Sequence, residues 1–148
     1  MKIAVISDSH GFSSKIEDVI FKETPDCVFF LGDCLKDLDN VYTNIPIYSV
    51  CGNNDFGHQN IEDIRRLFGK TFFFTHGHKY NVKYSLDALI NKAHLLRADF
   101  LLFGHTHLPK IFENGELTVL NPGSIGYSDS YAIISIQQNK INAEIKFL

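Results

Sequence analysis

Polar side chains of the types that bind metal ions follow five short apolar runs in this chain of 148 residues. They form a D-x-H motif, a Gly-Asp pair, a G-N-N-D stretch, an H-G-H motif and an H-T-H motif. Carboxylates, imidazoles and an amide oxygen, without a thiolate cluster, are typical ligands of catalytic divalent metals rather than of a Cys-rich zinc site. Seven such side chains exceed the needs of one ion and suffice for two. The predicted ligands are Asp8, His10, Asp33, Asn53, His76, His105 and His107.

The elements that position these motifs are predicted to alternate between strands and helices. The apolar runs are short, rich in β-branched and aromatic residues, and apolar on both faces, as in a sheet that is covered on both sides. Alternation with helices implies a largely parallel sheet, in which the carboxyl ends of the strands share one edge and ligands bind there. The five motifs are therefore expected to converge. Strands are predicted at 2–7, 27–31, 45–50, 70–75 and 99–104, and helices at 14–23, 60–68 and 82–97.

Local signals refine this pattern. Ser14 and Glu17 form a candidate capping box for the first helix, and Asn60 is a candidate N-cap for the second. In the last third of the chain, an Asn-Gly turn at 114–115 predicts a hairpin, and apolar residues at period two predict a strand over 141–147. A mixed sheet, or two stacked sheets flanked by helices, follows. No repeat or linker divides the sequence, so residues 1–148 are predicted to form a single domain.

The overall composition narrows the classes of function. The formal net charge is −3, which disfavours a nucleic-acid or anionic-membrane partner, and no apolar run approaches the ~20 residues of a membrane span. The N-terminal apolar run is too short for a secretory signal. Three cysteines without a C-x-x-C pair fit a reduced protein. We therefore expect a cytoplasmic location.

The motifs together resemble the calcineurin-like metallophosphoesterase superfamily. The pattern of that superfamily is D-x-H, G-D, G-N-H-[DE], a His in an H-G motif, and G-H-x-H, and all blocks occur in order between residues 8 and 107. The short chain and the LNPGS stretch at 120–124 are most similar to its small bacterial and archaeal phosphodiesterases. The resemblance implies a four-layer α/β/β/α sandwich with two mixed β-sheets.

The resemblance also implies roles for the ligands. One ion would be held by Asp8, His10 and His107, a second by Asn53, His76 and His105, and Asp33 would bridge them. Mn²⁺ is favoured, with Ni²⁺, Fe²⁺, Co²⁺ and Zn²⁺ as alternatives. The implied reaction is hydrolysis of a small phosphodiester by in-line attack of a metal-bridging hydroxide. Because the imidazoles bind metal only when neutral, activity is expected to fall below about pH 6.

One position departs from the superfamily pattern. Asn54 stands where a histidine usually protonates the leaving group or binds the phosphate. An amide can donate a hydrogen bond to a phosphoryl oxygen but cannot deliver a proton. His78 and His58 are candidate substitutes, and Asp55 is a candidate carboxylate that orients its neighbours. Asn54, Asp55 and His78 are the candidate catalytic residues.

Three alternatives remain open at the level of the sequence. The chain could be a phosphomonoesterase, or a non-catalytic scaffold that binds proteins, like the retromer subunit with this fold. A nuclease would need a basic patch such as Lys79, Lys83, Arg65 and Arg66, which the acidic balance disfavours. The resemblance also suggests a homo-dimer or a higher homo-oligomer.

Overall fold

Ten strands and three α-helices lie in the part of the chain that the computed structural model describes, which is residues 1–57, 60–138 and 140–148. Helix α1 (Ser13–Glu23) and helix α2 (Asp87–Leu95) are regular, and α3 (Ile125–Ser128) is a single turn. Short 3-10 segments occupy Leu35–Asn40 and His78–Tyr80. The strands are β1 (Lys2–Ile6), β2 (Cys27–Phe30), β3 (Ile47–Ser49), β4 (Glu62–Leu67), β5 (Lys70–Thr75), β6 (Phe100–Phe103), β7 (Lys110–Asn114), β8 (Leu117–Asn121), β9 (Ser130–Gln137) and β10 (Lys140–Phe147).

The strands form two mixed sheets of five strands each. The first has the order β10-β9-β1-β2-β3, and the second has the order β4-β5-β6-β8-β7. In the first sheet β1, β2 and β3 are parallel, and β9 and β10 run antiparallel. In the second, β5, β6 and β8 are parallel, with antiparallel edge strands β4 and β7. Each sheet therefore has a parallel set of strands whose carboxyl ends share one edge.

Apolar side chains form three buried layers. Between the sheets, the ring of Phe29 lies 5.1 Å from that of Phe72, and the rings of Phe72 and Phe100 stack at 4.8 Å between centroids. Ile16 and other residues of α1 pack on the outer face of the first sheet, and Leu89 and other residues of α2 pack on the outer face of the second. This arrangement confirms the predicted α/β/β/α sandwich with two mixed sheets.

The predicted helix at 60–68 is wrong, because most of these residues form strand β4. Six residues of β4 pair antiparallel with β5, from Glu62 opposite Thr75 to Leu67 opposite Lys70. Phe68 and Gly69 form the two-residue turn between them, with φ angles of 55° and 75°. Backbone pairing with the edge of a buried sheet outweighs the local helical spacing, since strand formation depends on tertiary context. Asn60 therefore caps no helix.

Several boundaries also differ from the predictions. The capping box is wrong: α1 begins at Ser13, and the Glu17 carboxylate accepts a hydrogen bond from the Tyr42 backbone N–H at 3.2 Å. Helix α2 begins at Asp87 rather than 82, after Asn81 in the left-handed conformation. The hairpin loop lies at Gly115 and the residue after it, one position later than predicted. Strand β9, which pairs with both β1 and β10, was not predicted.

A membrane span does not occur among the helices of the described segments, because none is both long and apolar enough to cross a bilayer.

A buried glutamate ties α1 to the first sheet. Glu23, at the end of α1, is only 3% exposed. Its Oε1 accepts a hydrogen bond from the Tyr131 hydroxyl at 2.8 Å and lies 2.7 Å from Lys146 Nζ, and its Oε2 lies 3.6 Å from Lys2 Nζ. Burial opposes ionisation of Glu23, but the hydrogen bonds from Lys146 and Tyr131 outweigh it and lower the pKa. The ionised carboxylate therefore stabilises the folded state.

Replacing this carboxylate should weaken the fold in a pH-dependent way. We expect Glu23→Gln to lower the free energy of unfolding by about 2 kcal/mol at neutral pH, as for hydrogen bonds to a charged group. Because the folded pKa is lowered, the stabilisation is complete above the ordinary value of 4.5 and is lost as pH falls through the folded pKa. Urea unfolding at several pH values measures this. Glu116→Gln, in an exposed turn, is the control and should not change the free energy of unfolding. If Glu23→Gln remains less stable than the wild type at acidic pH, the ionised carboxylate is not the source of the stabilisation.

Candidate metal centre

The predicted ligands lie just beyond the carboxyl ends of the parallel strands. Asp8 follows β1, Asp33 follows β2, His76 directly follows β5 and His105 follows β6. Five of the seven predicted ligands adopt the left-handed backbone conformation, with φ between 47° and 67°. Such angles are uncommon outside glycine and occur most readily in Asp, Asn and His. Their concentration at one edge of the fold indicates a functional site.

One group of donors forms around Asp8. Its Oδ1 lies 2.9 Å from His107 Nε2 and 3.8 Å from His10 Nε2. The two Nε2 atoms of His10 and His107 are 3.4 Å apart. Asp8 is fully buried, whereas both imidazoles are partly accessible. The three residues predicted to hold the first ion therefore converge on one point.

A second group adjoins the first through Asp33. His76 Nε2 lies 3.5 Å from Asp33 Oδ1 and 3.1 Å from His105 Nδ1. The other oxygen of Asp33, Oδ2, lies 4.0 Å from His10 Nε2. Asp33 thus faces both groups, as the predicted bridging ligand should. Two trios have donor atoms that all lie within 4.8 Å of one another: Asp8, His10 and His107, and Asp8, Asp33 and His76.

The distances above join six of the seven predicted ligands. The seventh, Asn53, lies in the exposed loop after β3, next to Asn54, which contacts Asp33. Its place in the ligand set stays a prediction.

Burial determines the electrostatics of the cluster. Burial, reinforced by the charge of Asp33, raises the pKa of Asp8 to about 7, although the hydrogen bond from Ser7 opposes this rise. Burial also works against ionisation of Asp33, but His76 and two hydrogen bonds from Asn54 hold its pKa below the ordinary range. Burial lowers the pKa of His76 to about 4 and also lowers the pKa values of His105 and His107. These three imidazoles are therefore neutral at pH 7, with lone pairs available to a metal ion.

The donor set fits divalent cations. Burial, and to a smaller degree the charge of Asp33, raises the pKa of Asp8, and a cation between the two carboxylates would offset both their loss of hydration and their repulsion. Neutral imidazoles with carboxylates are ligands for Mn²⁺, Fe, Co, Ni and Zn²⁺. The chain therefore has candidate metal-binding residues at this edge of the sandwich.

Comparison with known proteins identifies the family. Residues 1–139 match the calcineurin-like phosphoesterase superfamily domain. The chain belongs to the calcineurin-like phosphoesterase superfamily. It is 29% identical over 160 residues to a phosphodiesterase of Methanocaldococcus jannaschii, covering 92% of both proteins. The predicted family and the predicted phosphoric ester hydrolase are confirmed.

Solved structures of this superfamily share the fold. A conserved protein from Streptococcus pneumoniae, described as a predicted phosphoesterase, has a TM-score of 0.82 and 27% identity, covering 99% of this chain and 88% of that one. Vps29 from Entamoeba histolytica has a TM-score of 0.78 at 21% identity, covering 100% of this chain and 99% of that one. At that identity the likeness to Vps29 shows the fold alone.

The candidate catalytic residue Asp55 contacts backbone rather than imidazoles. Its Oδ2 accepts hydrogen bonds from the N–H groups of Gly52 and Asp33 at 2.7 and 2.9 Å. Its Oδ1 accepts from Cys34 and Leu35 at 2.9 and 2.7 Å. Asp55 therefore holds the loop that presents Asp33, which supports a positioning role for Asp55. Gly52 is required beside it, since a Cβ there would lie 2.0 Å from Asp33 Oδ1.

The other two candidate catalytic residues lie on either side of the second group. Asn54 donates from its backbone N–H to Asp33 Oδ1 at 3.0 Å and from Nδ2 to Oδ2 at 2.8 Å, so its amide contacts a predicted metal ligand. The His78 ring lies 5.5 Å from that of His76 and 6.2 Å from that of His105. Its Nδ1 is buried without a hydrogen-bond partner among the described residues. His58 lies outside them.

The NPGS loop has a positioning role that sequence reasoning missed. Ser124 Oγ donates to the Asp8 carbonyl at 2.8 Å, and the Gly126 N–H donates to the same oxygen at 3.1 Å. Asn121 Nδ2 donates to the Gly104 carbonyl at 3.0 Å, just before His105. This loop therefore holds the backbones that carry Asp8 and His105. The turn-forming sequence predicted a loop but contained no signal for these contacts.

Tyr127 is a second residue that the sequence did not reveal. Its ring stacks on His10 at 4.7 Å between centroids with an interplanar angle of 29°, and lies 5.5 Å from His107. The side chain is 67% exposed, so part of it faces solvent at the mouth of the site. It can restrict the rotation of both imidazoles.

Removing the Asp55 carboxylate should loosen the Asp33 loop. We expect Asp55→Ala to lower the free energy of unfolding by about 2–4 kcal/mol, because buried N–H groups lose charged acceptors. Hydrogen exchange at the Cys34 and Leu35 amides should accelerate more than exchange in β1. Asp63→Ala, which removes a carboxylate paired with Arg65 on β4, serves as the matched control. Unchanged exchange at Cys34 and Leu35 in Asp55→Ala would show that these hydrogen bonds do not hold the loop.

Proposed function

We propose that this protein is a two-metal phosphodiesterase. The observation that carries the proposal is the convergence of two donor groups on Asp33, whose two oxygens face His76 and His10 at 3.5 and 4.0 Å. A single-ion site would not need donors on both sides of that carboxylate. Asp8, His10 and His107 would hold one ion, and Asn53, His76 and His105 would hold the other. Asp33 would bridge the two.

The charge and the accessibility of this site suit a phosphate ester. When bound, two divalent ions supply a nucleophile at neutral pH and offset the charge on the phosphoryl oxygens. Neutral imidazoles preserve the positive charge of the ions, since only Asp8 and Asp33 contribute negative charge to the predicted ligand set. The partly exposed His10 and His107 leave an opening towards solvent. Mn²⁺ is the proposed metal, and Ni²⁺, Fe²⁺, Co²⁺ and Zn²⁺ are the competing ions to test.

The choice of a diester over a monoester rests on position 54. Asn54 cannot donate a proton to a leaving alkoxide, and its Nδ2 is engaged with Asp33. His78 has a free Nδ1 near the second group, but burial, with a smaller effect of Lys79, lowers the pKa of His78, so its protonated form is scarce at pH 7. Substrates whose leaving groups need no protonation are therefore favoured. The similarity to an archaeal phosphodiesterase supports the same choice.

The remaining alternatives have less support. A non-catalytic scaffold would not need to retain converging carboxylates and neutral imidazoles, and the likeness to Vps29 concerns the fold alone. In the basic patch that a nuclease would need, Arg65 is engaged with Asp63 at 2.7 Å and lies over the ring of Tyr48. We also propose a reducing, cytoplasmic setting, which the free thiols of Cys27, Cys34 and Cys51 support.

Metal content and hydrolysis test the proposed function together. Protein reconstituted with Mn²⁺ should bind two ions per chain and hydrolyse bis(4-nitrophenyl) phosphate faster than 4-nitrophenyl phosphate. Asp33→Asn should lose activity by at least ~100-fold, because it removes half of the negative charge in the predicted ligand set. Asp63→Asn is the matched control. If the wild type binds no metal and is inactive, and Asp33→Asn behaves identically, the enzyme assignment is wrong. If the wild type prefers the monoester, the diesterase assignment is wrong.

Substitutions of Asn53 and of Asn54 should have different effects on metal binding and on activity. We expect Asn53→Ala to retain one tightly bound ion instead of two, because the second site loses its amide ligand. Asn54→His should keep both ions and gain activity mainly on esters with poor leaving groups, since general acid catalysis contributes ~10²–10⁴-fold. Equilibrium metal titration and rates on esters of graded leaving-group pKa measure the two effects. Unchanged metal content in Asn53→Ala would remove Asn53 from the ligand set.

A further inference from the structure

A cavity of about 360 Å³ adjoins the candidate metal centre. It lies between the segment 82–86 that precedes α2 and the loop that follows β6. Thr106 lines the cavity, and its two neighbours in sequence, His105 and His107, belong to the metal cluster. The cavity and the cluster therefore share one loop. Its volume is in the range of small-molecule sites.

The floor and the rim of this cavity are apolar. Val82 and Phe103 are buried beneath it and belong to the layer under α2. At the rim, Tyr84 is 92% exposed and Leu108 is 70% exposed. Single exposed hydrophobic side chains are common, but apolar surface that continues from the floor of a cavity to its rim is one mark of a ligand site. A flat aromatic group of a ligand would cover both and reduce their contact with water.

The charge of the cavity is positive although the chain as a whole is acidic. Lys83 and Lys110 line it, and none of the described residues that line it is acidic. A negatively charged group in this cavity would therefore be attracted by both lysines.

A second cavity on the other side of Asp33 has the opposite charge. It has a volume of about 500 Å³ and is bordered by Asn54, which contacts Asp33. Asp37, Asp39 and Asp55 line it, against a single lysine, Lys36. An anionic group would be repelled there and attracted to the first cavity. A negatively charged part of a substrate would therefore bind in the first cavity rather than in the second.

We propose that the cavity lined by Lys83, Lys110 and Tyr84 binds one organic arm of the substrate, and that this arm is an aromatic group with a second negative charge. A nucleotide arm has this chemistry: the base would contact Tyr84 and Leu108, and the additional phosphate would lie between the lysines. This inference rests on the proposed phosphodiesterase function, and it assigns a substrate class to that site. The diester phosphorus itself would lie at the cluster, beyond Thr106.

Three esters with the same leaving group test the proposal. They are methyl 4-nitrophenyl phosphate, thymidine 5′-(4-nitrophenyl phosphate) and the 3′-phosphorylated form of the latter. For the Mn²⁺-loaded wild type we expect KM to fall at each step while kcat changes little. The added phosphate should raise kcat/KM by about tenfold, the order of one charge-assisted hydrogen bond. This last gain should decrease as ionic strength rises.

Variants assign each step to a side chain. Lys83→Met and Lys110→Met should each reduce the gain from the 3′-phosphate, which is measured for each variant as the ratio of its own kcat/KM values on the two nucleoside esters. Tyr84→Ala should reduce the gain from the nucleoside. Lys140→Met, on strand β10 of the other sheet, is the matched control and should behave as the wild type. If Lys83→Met and Lys110→Met both retain the full gain, or if the wild type shows no gain, the proposal is wrong.

A binding measurement separates this proposal from the proposed function. If the Mn²⁺-loaded wild type hydrolyses none of the three esters, the phosphodiesterase assignment fails. Titration of the same protein with thymidine 3′,5′-bisphosphate then tests whether the cavity binds a nucleotide. Affinity that Lys83→Met and Tyr84→Ala weaken by about tenfold, while Lys140→Met does not, supports the assigned ligand class. Equal affinity in all four proteins, or no binding, overturns it.

Discussion

Asp8 and Asp33 are buried side by side, at 0% and 2% exposure, and the rest of the site is arranged around that fact. Two neighbouring carboxylates in a poorly hydrated place repel each other, and each loses the solvation of its charged form. The fold forces them together because β1 and β2 are adjacent parallel strands whose carboxyl ends share an edge. A divalent ion would offset both charges, and under the proposed function the surrounding imidazoles would provide its remaining ligands without adding negative charge.

The backbone around these carboxylates is held in a conformation that the chain would not adopt by itself. Left-handed φ angles at Asp8, Asp33 and His105 each carry a local cost, which the surrounding hydrogen bonds offset. The Asp55 carboxylate accepts hydrogen bonds from four backbone N–H groups, including that of Asp33, and the Ser124 hydroxyl donates one to the Asp8 carbonyl. These hydrogen bonds fix the backbone from which the donors project, which reduces the ordering that binding an ion would require.

The charge around the cluster differs from one side to the other. Lysines line the cavity next to Thr106, and aspartates line the cavity next to Asn54. With a net charge of −3, the whole chain does not attract anions, so any preference for an anionic substrate must come from this local arrangement. The superfamily chemistry depends on the ligands that the strand ends present, whereas the choice of substrate depends on loops that differ in composition from side to side.

The order and spacing of the motifs predicted which residues converge, because parallel strands bring their carboxyl ends to one edge whatever the loops do. The family and the two-sheet sandwich followed from the resemblance of those motifs to the superfamily pattern. Local spacing could not show that residues 62–67 form β4, since only pairing with β5 outweighs their helical pattern. It also could not show that the Asp55 carboxylate binds backbone N–H groups, or that Tyr127 stacks on His10. Those contacts join residues that are distant in sequence or depend on loop conformation, so only the tertiary structure decided them.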